Sequence, residues 1–245
     1  MSVRDGMHVY LTDRRSLRAS LYLAVALALA LLITWPRGSL EAAVRAAQAP
    51  DTFTVVAICF LLAALYLGAR FGAEDYSPDP SVQLRELATM TPVPVLSLAA
   101  GRLAFGALHT LLLLLLGAPF LVAAMAVGGA AFSQLLQALA MIGAASLAAR
   151  MAGLVSRSVL GARRPLRDVA LTSCVTAAAA AAFFLAPGVS SFRAIGALAQ
   201  EPLQAPLLPA AADAAGAVLL AAAAAGVLAV VRARARRARE GRRHG

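Results

Sequence analysis

The chain has 245 residues, 61% of them apolar and only 14% charged; its 22 basic residues, every one an arginine, outweigh 12 acidic ones for a net charge of +10. A soluble domain carries about 25% charged residues and a disordered one has low hydrophobicity, so neither describes this chain. Without a lysine there is no P-loop, whose lysine holds the phosphates, and no Schiff-base chemistry.

In chain order, six apolar stretches approach the roughly 20 residues that a bilayer-spanning helix needs. They cover about 17–35, 53–70, 103–127, 134–154, 169–187 and 213–231. The first follows Arg14, Arg15 and Arg18 and so resembles a signal peptide, with Ala47-Gln48-Ala49 as a superficial cleavage site. That site lies far beyond the apolar run and precedes Pro50, which favours an uncleaved helix. The last two stretches are alanine-dominated and alone would also fit buried soluble helices. Beside four stronger spans, their alanines and Gly216 and Gly226 read as close packing in lipid. Cys59 and Cys174 fall inside spans, as small packing residues rather than a disulfide framework.

Arginine placement orients the chain, because short cytoplasmic loops carry the excess of positive charge. With the N-terminus inside, the four inner segments hold four, three, five and seven arginines: Arg4, Arg14, Arg15, Arg18; Arg70, Arg85, Arg102; Arg150, Arg157, Arg163, Arg164, Arg167; and the run from Arg232 to Arg243. Only Arg37, Arg45 and Arg193 fall outside. The expectation is one all-α integral membrane domain over 1–245, with six spans, both termini cytoplasmic and a basic cytoplasmic tail over 232–245.

Between the spans, three loops are informative. The first outer loop holds a helix-like run, 39–48, suited to the membrane surface. The last outer loop, 188–213, is broken by Pro202, Pro206 and Pro209 and fits an interfacial or surface segment. The inner loop 70–102 is the most structured. Asp79 is a good helix N-cap and Pro80 suits the first helical position. The helix expected over 81–90 places Leu84, Leu87 and Ala88 on one face, with Gln83, Arg85 and Glu86 more polar-facing. Thr91-Pro92-Val93-Pro94 stops it, since each proline removes a donor and biases its predecessor out of the helix. This is a short amphipathic cytosolic helix joined by a tight elbow to the third span.

The run Gln83-Leu84-Arg85-Glu86-Leu87, then Thr91-Pro92-Val93-Pro94, then Gly101-Arg102 before a leucine-rich span, resembles the ABC-2 type permease family. In that family a glutamate–leucine run leads to a Thr/Ser-Pro element and a Gly-Lys/Arg pair opening the third helix. The looser likeness includes six spans, Gly117-Ala118-Pro119 in the third and Gly128-Gly129 in a tight outer turn. It departs where Pro80-Ser81-Val82-Gln83 replaces an acidic-Gly-Thr element, and in the arginine-rich tail. The resemblance implies the membrane subunit of an ABC exporter, paired with a second permease copy or paralogue above two separate ATPase subunits. ATP and magnesium would be held in those partners, and no cofactor in this chain. It further implies that the 83–92 segment, with Gly101 and Arg102, couples the two.

Within the spans, His109, Gln137, Ser173 and Thr176 are pathway candidates, because polar residues at membrane depth are costly and often functional. Serine and threonine also commonly bond their own helix, and Pro119 most simply kinks the third span. No metal motif, nucleophile elbow or paired intramembrane acids occur, so the chain reads as a non-enzyme. The arginine-rich tail follows a span directly, which favours anionic headgroups over nucleic acid as its contact. A haem-exporter B-like permease and a non-transporting six-helix scaffold are the alternatives.

Overall fold

A computed structural model describes residues 14–35, 50–73, 94–160, 191–198 and 207–241. Every element among them is a helix: α1 (Arg14–Thr34), α2 (Pro50–Ala73), α3 (Val95–Gly128), α4 (Phe132–Leu160), α5 (Ser191–Leu198) and α6 (Leu207–Gly241). The span expected over 169–187, with Ser173 and Thr176, lies outside the described residues. So do the coupling segment with Gln83, Leu84, Arg85, Glu86, Leu87, Thr91 and Pro92, and the surface run 39–48.

Five of the helices contain windows long and apolar enough to cross a membrane: Leu17–Thr34, Thr52–Gly72, Ala99–Gly128, Phe132–Val155 and Pro209–Ala233. Their outward faces are apolar too. Ile33 is 81% exposed, Leu96 74% and Leu219 71%. A surface helix of a soluble protein turns a polar face outward, whereas helices apolar all round belong in lipid or deep inside a large core.

The bundle centres on α4, which shares its most extensive interface with α2 and its next with α6. On α2 the buried stripe runs through Phe53, Val56, Ala57, Phe60, Ala64, Leu67 and Phe71 at three- and four-residue steps. On α4, Ala138, Ile142, Ser146 and Arg150 repeat every four residues and are all buried. Met151, Leu154, Ala217, Ala221 and Leu228 form a second cluster between α4 and α6. Helix α1 is peripheral: among its described side chains, Ala19, Leu23, Leu27 and Ala30 are the buried ones, against α2 and α3.

Helix boundaries follow local chemistry. Pro94 sits at φ −57° and ψ 136°, and α3 starts at the next residue. That is eight residues before the expected 103, because nothing in Val95–Ala100 breaks a helix and Gly101 alone costs only about 1 kcal/mol. The helix also runs on through Pro119. It ends where Gly129 takes the left-handed φ of 69°, with the Ala130 N–H donating to the Met125 carbonyl at 3.3 Å. This closure satisfies a terminal carbonyl, and glycine meets it without a Cβ penalty. Next, the Ala131 N–H donates to Gln134 Oε1 at 2.6 Å, the reaching-back half of a capping box that opens α4. Thr52 Oγ1 donates to the Thr34 carbonyl at 2.9 Å, tying the end of α1 to the start of α2.

Helix α6 starts at Leu207, earlier than the expected 213, with Pro209 near its N-terminus, where few intrahelical donors are needed. It continues through five arginines of the basic tail. At 1.5 Å per residue its 35 residues span about 52 Å, more than the ~30 Å hydrocarbon thickness. The apolar window ends at Ala233, and four of these five arginines follow it.

Candidate functional site

Two glycines bring the backbones of α2 and α4 close together. Gly68 and Gly72 form a small-xxx-small pair on α2, facing Ser146 and Arg150 on α4. A Cβ at Gly68 would lie 2.5 Å from the Ser146 carbonyl oxygen, and one at Gly72 would overlap the Arg150 carbonyl. Such contacts against backbone can be relieved only by moving the helices apart. The close approach allows Ser146 Oγ to donate to the Ala64 carbonyl at 3.1 Å, a buried bond between helices.

One turn further along α4, Arg150 lies 4% exposed inside a window long and apolar enough to cross a membrane. Its Nη1 donates to His109 Nδ1 of α3. Arginine has no acceptor, so Nδ1 takes the bond with its lone pair and the ring proton is assigned to Nε2. The guanidinium carbon sits 5.2 Å from the Phe105 ring centroid, within cation–π range. Phe71 of α2 meets the His109 ring edge to face, with centroids 4.7 Å apart and planes at 88°. Gly106 makes room for the arginine stem: a Cβ there would lie 3.0 Å from Arg150 Cδ. Three helices thus meet at one polar node, and a buried cation at this depth requires the partners it has.

The expected site residues are distributed differently from one another. His109 is the centre of the node and 1% exposed. Gln137 is half-buried on α4, and its buried Oε1 accepts no hydrogen bond among the described residues. Gly101 has open space where a Cβ would stand, and Arg102 is half-buried one residue on in α3. Arg150, counted among the inner arginines though the span expected over 134–154 includes it, is buried in α4. Gly68 and Gly72 carry a spacing that points to helix contact in lipid, and that spacing is the available signal for the node. No group of three or more His, Cys, Asp or Glu side chains able to hold a metal occurs among the described residues.

At the opposite end, α5 is packed onto the bundle rather than lying as a free loop. Ala194, Ile195 and Leu198 are buried against α2 and α4. Its first residue, Ser191, donates from Oγ to Asp213 Oδ2 of α6 at 2.5 Å, and its last, Leu198, accepts from Gln134 Nε2 of α4. Gln134 therefore holds both the start of its own helix and the end of α5.

These features, five apolar helices of spanning length around a glycine-packed, partly polar centre, are those of a multi-pass membrane protein. No protein-family model, curated protein or solved structure matches the chain significantly.

Proposed function

We propose that the chain is the permease subunit of an ABC transporter, forming an export pathway in the cytoplasmic membrane with a second permease copy or paralogue. In this reading it has six spans, with both termini cytoplasmic, and ATP is hydrolysed by a separate subunit docked under the 83–92 segment. The observation that carries the reading is the form of α3. It begins at Val95, directly after Pro94, and is continuous over 34 residues to Gly128. At 1.5 Å per residue that is a rod about 51 Å long.

A push on the elbow would move the cytoplasmic end of this rod. Phe105 and His109 lie 10 and 14 residues along it, in contact with Arg150 of the central helix α4. Movement entering at Val95 would therefore reach the hub of the bundle through a buried polar contact. The ATPase supplies the energy; this chain's own residues receive and redistribute the displacement.

Affinity purification of the tagged chain with its ATPase tests this directly. The ATPase subunit should co-purify, and Glu86→Arg should reduce its retention at least tenfold while the permease stays monodisperse. An unchanged yield of the complex in Glu86→Arg, or no ATPase with the native chain, would sink the coupling role and favour a non-transporting scaffold. Orientation has its own test. A reporter fused after Gly245 should be active on the cytoplasmic side, since Arg150 apart, eighteen arginines lie on the proposed inner segments and three on the outer. Activity on the outer side would reverse the topology.

A further inference from the structure

A second feature sits away from the node, where α1 leans on α2. The two helices enclose a cleft of about 500 Å³, open to one side. Its lining is layered. Arg18 of α1 and Arg70 of α2 lie at one end, Tyr22 and Tyr66 come next, and Ala26 and Ala63 line the other end. On α1 the order arises from four-residue steps, and on α2 the same order runs backwards because the helices are antiparallel. Both walls therefore change from cationic to aromatic to small and apolar in step. The distance from Arg18 to Ala26 is eight residues, or about 12 Å at 1.5 Å each, close to one leaflet's share of a ~30 Å hydrocarbon layer.

We infer that this cleft binds one anionic phospholipid from the arginine-rich leaflet. The phosphate lies between Arg18 and Arg70, the two tyrosines sit at headgroup level, and an acyl chain runs along the alanine end. Guanidinium forks match phosphate oxygens, and tyrosine belongs at the interface, where its ring is apolar on one side and its hydroxyl wet. A general basic surface would account for the arginines alone. It would not account for an apolar continuation at acyl depth directly behind them. The inference rests on the membrane reading above but not on ATPase coupling, so loss of one leaves the other standing.

Native mass spectrometry of the full chain, purified in micelles containing dioleoyl phosphatidylglycerol and dioleoyl phosphatidylcholine, tests it. A cationic residue at an anionic surface is worth about fivefold, so the native chain should retain one phosphatidylglycerol at least fivefold over phosphatidylcholine. Arg18→Gln/Arg70→Gln should abolish that preference. Arg163→Gln/Arg164→Gln, removing equal charge from another expected inner segment, should preserve it. Ala26→Phe/Ala63→Phe leaves every charge in place and fills the acyl end, so it should also lose the lipid, with monodispersity confirming the fold. Equal losses in the two arginine variants would mean unspecific charge and overturn the proposal. Retention in the phenylalanine variant, or displacement of the lipid by inorganic phosphate alone, would overturn it as well.

Discussion

Gly72→Leu is expected to lower the apparent melting temperature of the detergent-solubilised protein by about 6–12 °C. The expectation follows from what the new Cβ would meet. It would overlap the Arg150 carbonyl, a backbone atom in the middle of the central helix, so no side-chain rotation gives relief. Overpacking of this kind costs about 1–3 kcal/mol and occasionally more. Here the upper end applies, because separating α2 from α4 also lengthens the Ser146–Ala64 bond and loosens the Phe71–His109 contact. In a chain of this size each kcal/mol corresponds to roughly 2–4 °C. Gly226→Leu is the control, since nothing lies within 4 Å of a Cβ there and α6 faces outward at that point. A melting curve for Gly72→Leu that overlays that of Gly226→Leu would refute the close approach of α2 and α4.

How much of this arrangement could be read from the chain itself depends on the physical signal each part leaves. Apolar length leaves a strong one, and five of the six expected stretches coincide with long helices among the described residues. The helix ends leave a weaker one. Helix α3 starts eight residues early because a helix already begun at Pro94 needs a positive reason to stop, and Gly101-Arg102 provides none.

Arg150 illustrates what charge counting hides. The orientation rule places arginines in loops, yet this one continues the stripe Ala138, Ile142, Ser146 at its next four-residue step. Together with Gly68-xxx-Gly72 on another span, that register marks a helix contact before any coordinates are known. What register cannot supply is the pairing of helices, so His109 could be singled out but not matched to Arg150. Helix α5 was obscured for a different reason: prolines at 202, 206 and 209 made the whole outer loop read as broken. The eight residues before them bury Ala194, Ile195 and Leu198 on one side, and are pinned at both ends by Asp213 and Gln134.

Removing the two halves of the node separately and together should give strongly non-additive losses. His109→Leu takes an acceptor from a guanidinium that is 4% exposed. Losing a buried hydrogen bond to a charged group costs about 1.5–3 kcal/mol. Arg150→Leu takes the guanidinium donor from the imidazole, a comparable penalty of about 1–3 kcal/mol, together with the loss of the guanidinium over Phe105. In Arg150→Leu/His109→Leu neither group is left behind by the other, and two leucines refill much of the volume against Phe71 and Phe105. The combined loss should therefore fall short of additivity by about 1–3 kcal/mol. Arg150→Lys should fall between the native protein and Arg150→Leu. It keeps the charge but gives up the planar fork and the stacking that suit the Phe105 face. Apparent melting temperatures of the four proteins in one detergent complete the cycle. Losses that add to within about 0.5 kcal/mol, the scatter of independent sites, would show that His109 and Arg150 are neighbours without being partners. The displacement path from α3 into α4 would then have to run through the apolar contacts alone.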